Sequence, residues 1–124
     1  YNTTINISRK MATEKKDVVQ RFVNATIEGW AAYMKNGEGN AAANALIKAA
    51  NPDMTDEKIA YALKVMTERG IVLSGDALKL GIGAMTDERW KTFYDQMAAT
   101  GVFPANVDIS KAYSLDFINK GVGL

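Results

Sequence analysis

The longest regular pattern in the chain lies between Thr13 and Asn36, where Val19, Phe22, Val23, Thr26, Ile27, Trp30 and Met34 recur at steps of three and four residues. That spacing is one stripe of an α-helix and does not fit the two-residue period of a strand. A helix over 13–36 is about 36 Å long, so whatever the chain folds into must be built along it. Asp17 and Arg21 stand one turn apart on its wet side. The polar stretch NGEGN, residues 36–40, stops it, because two close glycines supply a left-handed cap and a turn. A second, alanine-rich helix is expected over 41–50, with Ala43, Leu46, Ile47 and Ala50 on one side, and Asn51 and Pro52 end it.

A phrase then occurs twice, MTDEKIAY from position 54 and MTDERWKT from position 85. In each, threonine is a natural N-cap and the Asp-Glu pair sits in the first turn, where the helix dipole is positive. Ile59, Ala62, Leu63 and Met66 give the first helix its apolar stripe before Gly70. Trp90, Phe93, Tyr94 and Met97 do the same for the second before Gly101. The residues between the two phrases contain no helix matching the pair before the first, and two instances are too few for a solenoid, so the phrase is one way of starting a helix used twice rather than a structural repeat. A short helix capped by Ser114, burying Leu115 with Phe117 or Ile118 and closed by Gly121, is expected near the end.

The opening YNTTINIS alternates, with Thr3, Ile5 and Ile7 on one side and Asn2, Thr4, Asn6 and Ser8 on the other, the pattern of a strand of about six residues. A lone strand cannot satisfy its own backbone. Its partners are therefore expected elsewhere, and together with Tyr1 in place of an initiating methionine this points to a processed chain or a piece of a longer one.

The 124 residues contain no cysteine and no histidine, which removes thiol nucleophiles, thiolate and imidazole metal ligands and the usual near-neutral acid–base group. Formal charge is +1 and the basic residues are scattered, so nothing marks a nucleic-acid surface. No apolar run is long enough to span a bilayer. Asp87 and Glu88 are adjacent on a helix and point about 100° apart, so they cannot flank one bond as an acid–base pair; capping accounts for both. GIGA at 81–84 lacks phosphate-loop spacing and reads as a flexible approach to the following helix. Trp30 and Trp90 lie on apolar stripes and read as core. The polar row Asn2, Thr4 and Asn6 offers amides and a hydroxyl at two-residue steps, which either an exposed strand or a polar small-molecule site would show.

The order of these signals carries a resemblance. D-x-V-x-R-F-V-x-A-x-x-E-G-W at 17–30, G-x-M-T-D-E-R-W at 83–90 followed by M-x-x-x-G at 97–101, and Y-S-x-x-F-I at 113–118 are its most telling pieces, and the resemblance covers nearly the whole chain. In that order and spacing the chain resembles the C-terminal portion of ABC-transporter solute-binding proteins of the nitrate, sulfonate, taurine and thiamine-precursor group. The resemblance implies an α/β fold, the mostly helical fragment of a two-lobed periplasmic-binding-protein type II architecture. Residues 1–8 would be the strand returning between lobes, and about five helices over 13–120 would follow. It further implies capture of a small polar or anionic solute without chemistry or cofactor, and delivery to a membrane permease from the periplasm or an extracytoplasmic membrane anchor. The remaining N-terminal part of the same protein would supply most contacts, and Asn2 and Thr4 are the ligand-binding candidates of this stretch. The alternative is an enzyme on the same scaffold, similar to a eukaryotic thiamine-pyrimidine synthase. Such enzymes rely on histidine and a cysteine cluster, and neither residue type is present here. A free-standing helical interaction module is the third reading.

Overall fold

A computed structural model of the chain describes residue 1 and residues 3–124. Six α-helices carry the architecture: α1 (Arg9–Glu14), α2 (Lys16–Asn36), α3 (Ala41–Ala50), α4 (Asp56–Glu68), α5 (Ala77–Leu80) and α6 (Asp87–Ala99), with 3₁₀ turns at Gly37–Gly39 and Ile109–Lys111. No strand forms among the described residues. This corrects the expected α/β fold: the chain is a small helical domain, not an α/β fragment with an opening strand. The reason is local. Two-residue alternation becomes a strand only where a neighbour takes up its N–H and C=O groups. Residues 3–7 lie exposed and make no backbone ladder, with Ile5 47% and Ile7 42% accessible.

The long helix is also divided. Lys15, at φ −128° and ψ 39°, leaves the helical region and separates α1 from α2. Ser8 starts α1 by accepting a hydrogen bond from the Met11 N–H at 3.2 Å. At the other end of α2, Gly37 takes φ +52°, and the buried Asn40 side chain donates to the Tyr33 carbonyl at 2.6 Å, satisfying one of the carbonyls a helix end leaves open. The repeated phrase does the same work in both places. Thr55 Oγ1 accepts from the Lys58 N–H and Thr86 Oγ1 from the Arg89 N–H, each at 3.3 Å, opening helices of 13 residues apiece.

The main core cluster joins Val19, Val23 and Ile27 from α2, Ile82 from the loop after α5, and Phe117 from the terminal segment, while Ile59 of α4 and Ala77 of α5 are buried outside it. That segment is not the expected helix. From Ser114 onward it runs as turns, with Ser114 Oγ accepting from the Asp116 N–H, and it crosses α2 so that Gln20 Nε2 donates to the Phe117 carbonyl at 2.9 Å. Its close contact with the GIGA loop is backbone to backbone: Ile82 N–H donates to the Val122 carbonyl at 3.1 Å and Gly121 N–H to the Leu80 carbonyl at 2.9 Å. Gly81, at φ +99°, has no room for a side chain there, since a Cβ would stand 2.7 Å from the Val122 carbonyl oxygen. GIGA is thus a tightly seated turn rather than the flexible approach its composition suggests. Asn119, itself at φ +61°, finishes the seat by donating to the Met85 carbonyl at 2.7 Å and accepting from the Met85 N–H at 3.2 Å. No helix among the described residues is long and apolar enough to cross a membrane.

Candidate functional site

Of the two ligand-binding candidates on the opening segment, Asn2 lies outside the described residues. Thr4 lies in the exposed opening stretch and borders neither of the concavities described below. Asn6, the third member of the row, turns back on its own segment and donates to the Thr4 carbonyl at 3.3 Å. Among the described residues the row builds no enclosed site.

The acidic corner at the start of α6 is an aromatic cluster. Trp90 stacks on Tyr113 with ring centroids 5.0 Å apart and planes 9° from parallel, and Tyr1 closes the other side at 5.3 Å and 47°. The Arg89 guanidinium sits 4.5 Å above the Tyr1 ring. Tyr1 Oη accepts from the Thr86 N–H at 2.8 Å, which satisfies a donor that the helix start leaves without an internal partner. Tyr113 donates its phenolic proton to Asp87 Oδ1 at 2.5 Å, and this bond to a carboxylate holds the phenol above its ordinary pKa. Asp87 therefore orients an aromatic stack rather than a reacting proton. Trp90 is half-buried between its neighbours, and its indole Nε1 has no hydrogen-bond partner among the described residues.

Two concavities lie among the described residues away from this cluster. The first, about 470 Å³, lies where the terminal segment crosses α2 and is bordered by Lys16, Asp17, Gln20, Asp116 and Lys120. Lys16 faces Asp116 at 3.7 Å and Lys120 donates to Gln20 Oε1. Two lysines are matched by two carboxylates, so the cleft presents no net field to an anion. The second, about 400 Å³, is an apolar groove with Thr26, Gly29, Trp30 and Tyr33 of α2 along one wall, and Ile47 of α3 with Ile59 and Met66 of α4 along the other. Its two hydroxyls each donate within the chain: Tyr33 to Asn44 Oδ1 at 2.8 Å and Thr26 to the Phe22 carbonyl at 2.9 Å. Trp30 meets Tyr33 edge to face at 6.3 Å, and at 42% exposure it lines this groove instead of the core that its stripe position suggests.

The other perturbed groups are surface caps. Glu57 is held below the usual carboxylate range chiefly by a hydrogen bond from Thr55, and Asp108 by bonds from Ser110 and then Lys111. Among the described residues no three acidic side chains gather where they would hold a metal. The sequence reading missed the groove. The signal for it was present in the width of the α2 stripe, which holds more apolar residues than one narrow contact requires. Comparison with known protein families, with curated proteins and with solved structures finds no match for this chain.

Proposed function

We propose that this chain serves in the capture of a small polar or anionic solute outside the cytoplasm and its delivery to the permease of an ABC transporter, with no chemistry of its own. The order of motifs from Asp17 to Ile118 is the sequence argument for it. The structural observation that supports it is surface. The chain exposes 9020 Å², whereas a compact monomer of 13.5 kDa exposes roughly 6,500 Å². The surplus, roughly 2,500 Å², is three times what one partner contributes to a standard interface and belongs to the range of permanent association. Phe22, Leu46, Tyr61 and Ile71 are among the large apolar side chains it includes, each more than half exposed. Under this reading, that surface is covered by the remaining N-terminal part of the same protein. A pocket that buries most of a small solute needs walls on several sides, and the two concavities here are open.

Calorimetry is the test, with the protein as its gene encodes it titrated with nitrate, taurine, other sulfonates and pyrimidine precursors, and products analysed alongside. The reading expects binding of one of these by the complete protein, no turnover, and no measurable heat from the 124 residues alone. Turnover by the complete protein would move the conclusion to the enzyme, and tight binding by the isolated chain would remove the need for a further portion.

A further inference from the structure

We infer that the groove between α2, α3 and α4 binds a small, neutral aromatic molecule that carries a hydroxyl or an amide, a ligand class apart from the polar or anionic solute proposed above. The walls set the class. At about 400 Å³ the groove falls within the size of small-molecule sites, roughly 300–1,000 Å³, which suits a compact ring system. None of the described residues that border it is charged. A carboxylate, phosphate or ammonium group seated there would lose water and meet no counter-charge, so the ligand is neutral. Two aromatic rings, Trp30 and Tyr33, set edge to face at 6.3 Å, and two thioethers, Met54 and Met66, border the same space. Ring faces and edges and thioether sulfur all favour contact with a further aromatic ring, and methionine adapts its shape to what it meets.

Three polar groups in the groove keep hydrogen-bonding capacity. The Trp30 indole N–H donates to no atom among the described residues. Tyr33 Oη and Thr26 Oγ1 give their protons to Asn44 and to the Phe22 carbonyl, and each retains lone pairs that accept from no described residue. One donor and two acceptors on otherwise apolar walls are the few convergent polar groups that orient a small ligand. A hydroxyl or an amide answers both kinds, accepting from the indole and donating to an oxygen, whereas an ether or ketone accepts only and a plain hydrocarbon leaves all three unanswered. A peptide segment is the poorer occupant, because its run of N–H and C=O groups needs more partners than these walls hold. Gly29 supplies room: it borders the groove from α2, and no atom of the chain stands within 4 Å of the place its Cβ would occupy.

The test titrates the complete protein with three probes built on one ring system, β-naphthol, naphthalene and β-naphthoate, each followed by its own fluorescence. β-Naphthol binds saturably, about fivefold tighter than naphthalene, the worth of one net hydrogen bond, and about tenfold or more tighter than the charged naphthoate. In heteronuclear NMR spectra the Trp30 indole N–H signal, identified by its loss in Trp30→Phe, moves on adding β-naphthol while that of Trp90 stays in place. Gly29→Leu fills the open space and removes the binding, with an unshifted Trp90 signal showing the fold intact. Trp30→Phe keeps a ring and removes the N–H, so it weakens β-naphthol about fivefold and leaves naphthalene unchanged. Absence of saturable β-naphthol binding overturns the inference. Equal affinity for naphthalene, equal or greater affinity for β-naphthoate, or binding that Gly29→Leu and Trp30→Phe both leave unchanged does the same.

Discussion

Gly81→Ala probes the junction that holds the fold closed. At φ +99° and ψ 164°, a region that only glycine enters readily, an L-residue is strained by about 1–3 kcal/mol. A Cβ would also meet backbone on three sides, 2.7 Å from the Val122 carbonyl oxygen, 2.9 Å from its nitrogen and 3.1 Å from the Gly121 carbonyl carbon. None of these atoms is the end of a flexible side chain, so the terminal segment must move, at an overpacking cost of about 1–3 kcal/mol. The two costs together give roughly 2–6 kcal/mol, or a fall in melting midpoint of about 8–25 °C for a chain of this size. Gly83→Ala is the control: its φ is +79°, but the nearest atom to its Cβ is Ile27 Cγ1 at 4.0 Å. It carries only the conformational cost, about 1–2 kcal/mol. Thermal and urea denaturation of the two variants side by side isolates the close approach. Equal losses would refute the argument that Gly81 is where two backbones meet.

Thr86→Ala removes the oxygen that accepts from the Arg89 N–H and should cost about 1 kcal/mol by urea denaturation, with any solute affinity of the complete protein unchanged. Asn119→Ala loses both bonds to Met85 and a left-handed backbone position that asparagine tolerates better than alanine. A loss of about 2–3 kcal/mol is expected, and Asn119→Gly should recover the conformational part alone. The Tyr113 phenol, raised above its ordinary value by Asp87, should ionise later than a free tyrosine in a difference titration of phenolate absorbance against Tyr113→Phe, and Asp87→Asn should bring it back down. Because the folded value lies above the unfolded one, this bond supports the fold fully below the ordinary phenol range and is lost as pH rises through the folded value.

Helix starts are legible in the sequence because their chemistry is local. Thr55 and Thr86 need only the three residues after them to act as caps, and the structure places both where the repeated phrase puts them. What fails is everything decided at a distance. Residues 3–7 have the period of a strand, but a strand is a property of two segments. Ser114 opens a turn rather than a helix because the segment after it is drawn across α2, where its Phe117 carbonyl is taken by Gln20, 97 positions earlier in the chain. Gly81 reads as flexible by composition, and only the approach of Val122 makes it rigid. For the candidate site the same rule holds. Thr4 is a candidate by residue type and sits apart from either concavity, while Gly29 carries no signal in the sequence because a helix-interior glycine has meaning only once the space beside it is seen.

The α2 stripe shows how far sequence information exceeds what this chain uses. At 100° per residue, Val19, Val23 and Ile27 form one arc and Phe22, Thr26 and Trp30 another, offset by about 60° around the same helix. The first arc is buried in the core; on the second, Phe22 is 59% exposed and Trp30 lines the groove. Read as a sequence, the two arcs merge into one broad apolar face and predict that all of it is covered. The chain covers only the first with its own Ile82 and Phe117. An apolar face this broad suits a helix packed on two sides, and a helix packed on one side does well with less. The second arc stays open in this chain, and the exposure of Phe22 and Trp30 is what the width of the stripe leaves over once Val19, Val23 and Ile27 are buried.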